Sequence, residues 1–333
     1  MTATPALIQA LFGGDRRALA RAITLVESTR PDHRAEAEAL LAAILPRSGN
    51  SIRIGLSGPP GAGKSTFIER FGVAGIDRGR RVAVLAVDPG SKRGGGAILA
   101  DKTRMSELSR SPAAFIRPTS AGSAHGGTAR RTREAILLCE AAGFDAVIVE
   151  SVGVGQSETA VSDMTDMFVL LLAPASGDEV QAIKRGIVEL ADLVLVNKTD
   201  GELAATARRT AADYASALRL IRPANPEWSV PVRAVSALEN RGIAEIWDDV
   251  SRFHATLTVA GAWEQRRRQQ ARAALWAEIE HGLIEMLRAA PGVSGELAVL
   301  EAEVVAGTRT PADAARVALA FLAGGADCRP PRS

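Results

Sequence analysis

Gly58, four intervening residues, then Gly63-Lys64-Ser65 is a spacing that phosphate chemistry can use. A polyphosphate needs several backbone N–H groups aimed inward together, and the dihedrals that achieve this are cheap only where Cβ is missing. Gly58, Gly61 and Gly63 supply them, with Ala62 and Thr66 as neighbouring contacts. Lys64 is expected to reach the β and γ phosphates as a point charge and Ser65 to place its hydroxyl on Mg²⁺, while the helix starting there presents its positive end. A second cluster, "VLVNKTD", sets Asn197, Lys198 and Asp200 after an apolar run. Asp200 can accept from both N–H groups on the Watson–Crick edge of guanine, whereas adenine would set an acceptor against that carboxylate. Some forty residues later "VSALENRG" places Ser236, Ala237 and Leu238 where a backbone N–H can meet the base oxygen. The three motifs in this order predict GTP and GDP rather than ATP as the ligand.

Two acids end apolar runs: Asp88 in "AVLAVD" and Glu150 in "DAVIVE". Ligands collect at the carboxyl ends of parallel strands, so both are expected to project toward a phosphate-bound Mg²⁺, with ordinary capping as the alternative. Glu150-Ser-Val-Gly153 has the form of an acid-x-x-Gly switch whose glycine N–H senses the γ-phosphate. Gln156 is a catalytic candidate, although it stands three residues beyond that glycine instead of next to it. "GGGAILADKTRM" carries Asp101, a candidate to hold Mg²⁺ or its water when the triphosphate is present.

These residues need a scaffold that brings strand ends together. From 51 to about 260 near-continuous apolar runs alternate with amphipathic helical segments, the pattern of a mostly parallel sheet covered on both faces. The predicted class is therefore α/β, a P-loop NTPase with helical N- and C-terminal extensions: 1–50 helical, 51–260 the nucleotide domain, 261–333 a helical arm. The arm opens with "WEQRRRQQARAALWAEIEHGLIEMLRA", one long amphipathic helix. Its stripe of Trp263, Leu275, Trp276, Ile279, Leu283 and Leu287 exceeds what a lone helix can hide and predicts dimerisation. Arg266, Arg267 and Arg268 read as a solvated helix face, since no aromatic interleaving suggests nucleic acid.

Composition excludes little but excludes it clearly. With 47% hydrophobic residues, 23% charged ones and a formal charge of +2, no global field argues for a nucleic acid or an acidic membrane. Cys139 and Cys328 are far apart and the four histidines show no ligand spacing. The first residues lack a signal pattern and no run reaches the ~18 apolar residues of a membrane span, so a cytoplasmic protein is expected.

Taken together, "GPPGAGKST", "VDPGSKRGGGAILADKTRM", "FIRP", "LLCEAAGFDAVIVESVGVGQSE" and "GDEVQAIKRGIVELADLVLVNKTD" resemble the MeaB/MMAA/ArgK family of G-protein metallochaperones, over about residues 50 to 260. The resemblance implies a GTPase that attends an adenosylcobalamin-dependent acyl-CoA mutase, gates its cofactor loading, protection and reactivation, and works as a homodimer through its C-terminal helices. Carried over, Lys64, Ser65, Asp88, Asp101 and Glu150 fall on phosphate and magnesium positions, and Asn197, Lys198 and Asp200 on guanine positions. "GDEVQAIKRG" (177–186) matches an additional switch that contacts the partner and brings Lys184 toward the nucleotide. The chain departs from the family at Gly90-Ser91, Ala100 and His125, the last most simply a surface-loop histidine. A nickel- or cobalt-insertion GTPase is the alternative of the same fold; it calls for a Cys-x-Cys-Cys cluster or a His-rich tract, and the sequence has neither. A kinase, the third reading, conflicts with the guanine motif.

Overall fold

The computed structural model describes residues 5–88, 105–120, 127–151, 157–174, 185–220, 223, 225–290 and 293–322. Contacts divide the chain into two compact units, Met1–Gln270 and Ala271–Ser333. In the first, α1 (Pro5–Phe12), α2 (Arg16–Glu27) and α3 (Pro31–Ile44) precede β1 (Ile52–Ser57), α4 (Lys64–Asp77), β2 (Val82–Asp88), α5 (Ser106–Arg110), β3 (Ala114–Ser120) and α6 (Gly127–Ala141). Then come β4 (Ala146–Ser151), α7 (Ser157–Ser162), β5 (Met167–Leu172), α8 (Arg185–Glu189), β6 (Leu193–Val196), α9 (Ala204–Leu218), β7 (Val232–Ala234) and α10 (Ile246–Val259). The helix α11 (Ala262–Ala289) runs from the first unit into the second, which continues with α12 (Val293–Val305) and α13 (Pro311–Leu322).

The strands form one sheet in the order β3-β2-β4-β1-β5-β6-β7, every neighbouring pair parallel. Alternation of side chains sorts the strand residues onto two faces. Ala83, Leu85, Val147, Val149, Phe168 and Leu170 pack with α1, α2, α3 and α6. Ile54, Leu56, Val84, Ile148, Val169 and Leu195 pack with Phe67 and Phe71 of α4, Trp247 and Phe253 of α10, and Trp263 of α11. The N-terminal helices are thus part of the nucleotide unit's core: Leu11, Leu19, Ile23 and Leu40 are fully buried. A capping aspartate opens α2, Asp15 accepting from the Arg17 and Ala18 amides. Because β1 lies between β4 and β5 while the chain leaves it toward β2, connections diverge to both sides of its carboxyl end, and this is where an open α/β sheet forms its crevice.

At the opposite, amino end of the strands the structure corrects two readings of the arm. Arg266 and Arg267 are not a solvated face. Arg267 forms a two-pronged pair with Asp166, at 2.7 Å through both Nε and Nη2, and also donates to the carbonyls of Gly49 and Ser51. Arg266 pairs with Asp192 at 3.0 Å, while Gln270 donates to the Thr165 carbonyl. Both aspartates in turn accept strand amides, Arg53 N on Asp166 and Phe168 N on Asp192. Only Arg268 is exposed. Trp263 likewise is 6% exposed and belongs to the core of the first unit, with the Arg267 guanidinium over its ring. In the second unit Leu300, Ala314 and Ala318 form a small cluster with Leu287, Leu297, Val304 and Val317 around it. Among the described residues no helix is long and apolar enough to cross a membrane.

Candidate active site

The loop between β1 and α4 has a shape that its glycines permit. At Gly58 a Cβ would lie 2.0 Å from the Leu171 carbonyl oxygen, so the chain can pass β5 there only without a side chain. Gly63 caps α4 at φ 90°, ψ 30°, a left-handed conformation, and a Cβ on it would meet the Asn197 amide nitrogen at 2.6 Å. Lys64 opens the helix and folds back over the loop, donating to the carbonyls of Gly58 at 2.8 Å and Pro59 at 3.3 Å. Ser65 follows half-buried and Thr66 exposed. Burial lowers the Lys64 pKa, and the carboxylates of Glu150 and Glu158 pull against that shift without cancelling it.

Glu150, the penultimate residue of β4, is in register with Leu56 of β1 and Ala86 of β2, which sets it beside the loop. It is 9% exposed. The next residue, Ser151, donates to Ser57 Oγ at 2.8 Å, and both hydroxyls are buried. This bond ties the root of the loop to the root of the following segment. Asp88 closes β2 opposite Ser120 of β3, placing its backbone at the same end of the sheet. Ser65 and Glu150 offer oxygen donors, not thiolate or imidazole, a chemistry that suits a hard cation such as Mg²⁺. Asp101, Gly153, Gln156 and Lys184 lie outside the described residues, as do the side chain of Asp88 and the departures at Gly90, Ser91, Ala100 and His125.

The second and third motifs meet the first through Asn197. Its side chain, 2% exposed, donates from Nδ2 to the Ala62 carbonyl at 2.9 Å and accepts at Oδ1 from the Ala237 amide at 2.9 Å. One amide therefore holds the phosphate loop, the end of β6 and the segment after β7 in a fixed relation. Lys198 takes a left-handed φ of 58°, uncommon for a residue with a Cβ and a mark of local strain at functional turns. The Ser236 hydroxyl bonds Asp200 Oδ1 and also accepts the Glu239 amide, so one carboxylate oxygen is oriented by the protein. Arg241 fixes the same turn from outside, donating to the Thr199 carbonyl at 2.7 Å. Leu238 is 73% exposed, open for contact with a flat ligand.

An oriented carboxylate on a turn braced against a glycine-built phosphate loop, at the switch point of a parallel sheet, is an arrangement that a guanine nucleotide can use. A sequence profile of the family described as methylmalonyl-CoA mutase-associated GTPase MeaB matches residues 19–292. The chain belongs to this family. Among its relatives, the GTPase ArgK of Escherichia coli strain K12 is 51% identical over 263 residues, covering 79% of this chain and 80% of that protein. The mitochondrial methylmalonic aciduria type A homolog of Mus musculus is 46% identical over 323 residues, covering 94% and 78% respectively. The crystal structure of a protein named LAO/AO transport system kinase matches with a TM-score of 0.76 at 40% identity, covering 96% of this chain and 97% of that one. The protein is thus a GTPase of the MeaB family that binds guanine nucleotide.

Three features escaped the motif reading. Asn197, expected at a guanine position, also engages two backbone groups through its amide, a use no spacing rule announces. The Arg266 and Arg267 clamp was hidden because its partners, Asp192 and Asp166, lie far away in sequence just before apolar strands. That position, an acid immediately ahead of a buried strand with an Arg pair elsewhere, was the available signal. Glu158, which no motif singles out, is 3% exposed.

Proposed function

We propose that GTP hydrolysis at this site gates the loading, protection and reactivation of adenosylcobalamin in an acyl-CoA mutase, methylmalonyl-CoA mutase in the first instance. The observation that carries this reading is family membership: the assembled site belongs to a chain whose family is named for association with that mutase, and a close mouse relative is named for methylmalonic aciduria.

In this account Gly58, Gly61, Ala62, Gly63 and Thr66 cradle the phosphates, and Lys64 swings from the Gly58 and Pro59 carbonyls onto the β and γ oxygens. Ser65, Asp88, Glu150 and Asp101 hold Mg²⁺ and its water. Bound there, the ion compensates charge on the phosphate oxygens. Asp200 reads the base, Lys198 and Leu238 flank it, and Ala237 and Ser236 fix the segment beside it. Gly153 senses the γ-phosphate, Gln156 acts on the attacking water, and Lys184 adds positive charge when the mutase is bound. A lysine in that role contributes only in the transition state, so it raises turnover without tightening GTP binding. The second unit acts as a homodimer arm: Leu275, Trp276, Ile279 and Leu283 recur at helical spacing along α11 and are 59%, 56%, 39% and 45% exposed. Loss of the dimer in light scattering after removal of 271–333 is the expected result, and an undiminished dimer contradicts it.

The functional test is cofactor transfer. Apo-mutase supplied with adenosylcobalamin is assayed for recovered activity with the GTPase and either GTP or a non-hydrolysable analogue. A transfer that depends on the nucleotide state supports the gating role; identical recovery with GTP, analogue and no nucleotide contradicts it.

A further inference from the structure

Asp200 is held from two sides, and Arg241 stands behind both. Asp200 takes the N-cap position of the short 3₁₀ turn Gly201–Leu203 in an extended conformation, φ −102° and ψ 158°, yet its side chain makes no capping bond. The carboxylate is bonded instead by the buried Ser236 hydroxyl, and the backbones of Ser236 and Arg241 exchange two hydrogen bonds, at 3.0 and 2.9 Å. On the other side, the residue before Asp200 is fixed through both of its backbone groups. The Thr199 amide donates to the Val235 carbonyl at 3.2 Å, and the Thr199 carbonyl accepts from Arg241 Nη2 at 2.7 Å. A peptide unit is planar, so holding the Thr199 carbonyl also holds the Asp200 amide, and with it the direction in which the Asp200 side chain leaves the chain. Side-chain packing alone does not fix this turn, because a cavity of about 420 Å³ lies against it, lined by Thr199, Asp200, Ala204, Arg208, Ala234 and Glu239. The other arm of Arg241 meets Glu239 at 3.1 Å, an exposed pair worth little by itself. The bond to Thr199 differs, since its acceptor belongs to a buried residue.

Resting on the base-reading role of Asp200 proposed above, we infer that Arg241 is a positioning residue for guanine specificity. Its backbone holds Ser236 on one carboxylate oxygen, and its guanidinium sets the peptide that aims the carboxylate. Guanine presents two N–H groups to Asp200, at N1 and at the 2-amino group, and both bonds are well aligned only over a narrow range of carboxylate orientations. Hypoxanthine lacks the 2-amino group and otherwise offers the same edge. A carboxylate that has swung still finds the N1 hydrogen but loses part of the second bond, so loose aim erodes the preference for guanine over hypoxanthine. Arg241 acts through Asp200 and makes no contact with the nucleotide. Substituting its side chain spares the backbone pairing with Ser236 and so isolates the guanidinium.

The test is competition of unlabelled GDP and IDP against N-methylanthraniloyl-GDP on the full-length protein, for wild type, Arg241→Ala and Arg241→Lys. The readout is the ratio of the IDP and GDP dissociation constants. A hydrogen bond to a charged acceptor is worth roughly tenfold or more in an equilibrium constant, and misalignment forfeits much of it. Arg241→Ala is therefore expected to lower the ratio by about fivefold, with GDP weakened more than IDP. Arg241→Lys keeps a cationic donor for the Thr199 carbonyl and is expected to recover a ratio within about twofold of wild type. Unchanged affinities in Arg241→Ala overturn the inference. So does an equal weakening of GDP and IDP, which marks a purely structural residue, and so does a lysine variant no better than alanine. A wild-type protein that binds GDP and IDP equally overturns the base-reading role of Asp200 itself, an outcome distinct from all of these.

Discussion

Replacing Asn197 by alanine tests how the three motifs are held together. The substitution removes both bonds at once and leaves the Ala62 carbonyl and the Ala237 amide without their partner, in residues 0% and 2% exposed. An orphaned buried group costs about 1–3 kcal/mol, so two would cost up to ~6 kcal/mol in a dry interior. The phosphate-loop side opens on the nucleotide crevice, where water can replace part of what is lost, and about 2–4 kcal/mol is the reasoned total. The assay is urea unfolding without nucleotide beside fluorescent GDP titration, because the cost can appear as global instability or as a loop that must be reordered on binding. A combined loss of that size in the two measurements is expected. Asn197→Asp separates the halves: it keeps the acceptor for Ala237 N–H but turns a charged oxygen toward the Ala62 carbonyl, so it is expected to weaken nucleotide binding at least as much as alanine does. A combined loss below ~0.5 kcal/mol for Asn197→Ala would refute the bracing role.

Base selection is expected to transfer with one atom: Asp200→Asn loses GTP affinity and gains xanthosine triphosphate affinity, read by competition binding, and retained GTP preference contradicts the assignment. Arg267→Ala leaves Asp166, 1% exposed in its side chain, charged and without its guanidinium; a loss of about 3–5 kcal/mol in urea unfolding is expected, and a loss under ~1 kcal/mol would show that the pair is not a clamp. Acid sensitivity should follow Glu140. Burial works to raise its pKa, but the hydrogen bonds and charge of Arg53, with Ser51 and the Gly49 amide, hold it below the ordinary value of 4.5. A carboxylate with a depressed folded pKa stabilises above its unfolded value and loses that contribution as pH falls through the folded one. Wild type should therefore lose stability below about pH 4.5, while Glu140→Gln, weaker at neutral pH, shows a flatter curve in that window.

Much of the scaffold was legible because each local signal agreed with its neighbours. The runs "IRIGLS", "AVIVES" and "MFVLLL" are strands buried on both faces, and Gly58 and Gly63 of the phosphate loop stand where a Cβ would strike Leu171 or Asn197. Strand order, by contrast, is not written in any one segment; β1 between β4 and β5 follows from how connections cross. The long-range polar contacts were illegible for a related reason. Arg267 and Asp166 are separated by 101 residues, and a helix with three consecutive arginines looks the same in sequence whether it faces water or the amino ends of a sheet. Trp263 looked like the start of the exposed α11 stripe, but helical periodicity cannot tell which turn of a 28-residue helix is covered by the preceding fold.

The measurement that tests the central claim most directly is GTP turnover with and without the cognate adenosylcobalamin-dependent mutase, for wild type and Lys184→Ala. The account predicts slow hydrolysis alone and stimulation of at least ~10-fold by the mutase, about 1.4 kcal/mol of barrier, most of it lost in Lys184→Ala. Equal stimulation of both proteins would remove Lys184 from the mechanism. No stimulation of the wild type by any such mutase would contradict the gating role itself.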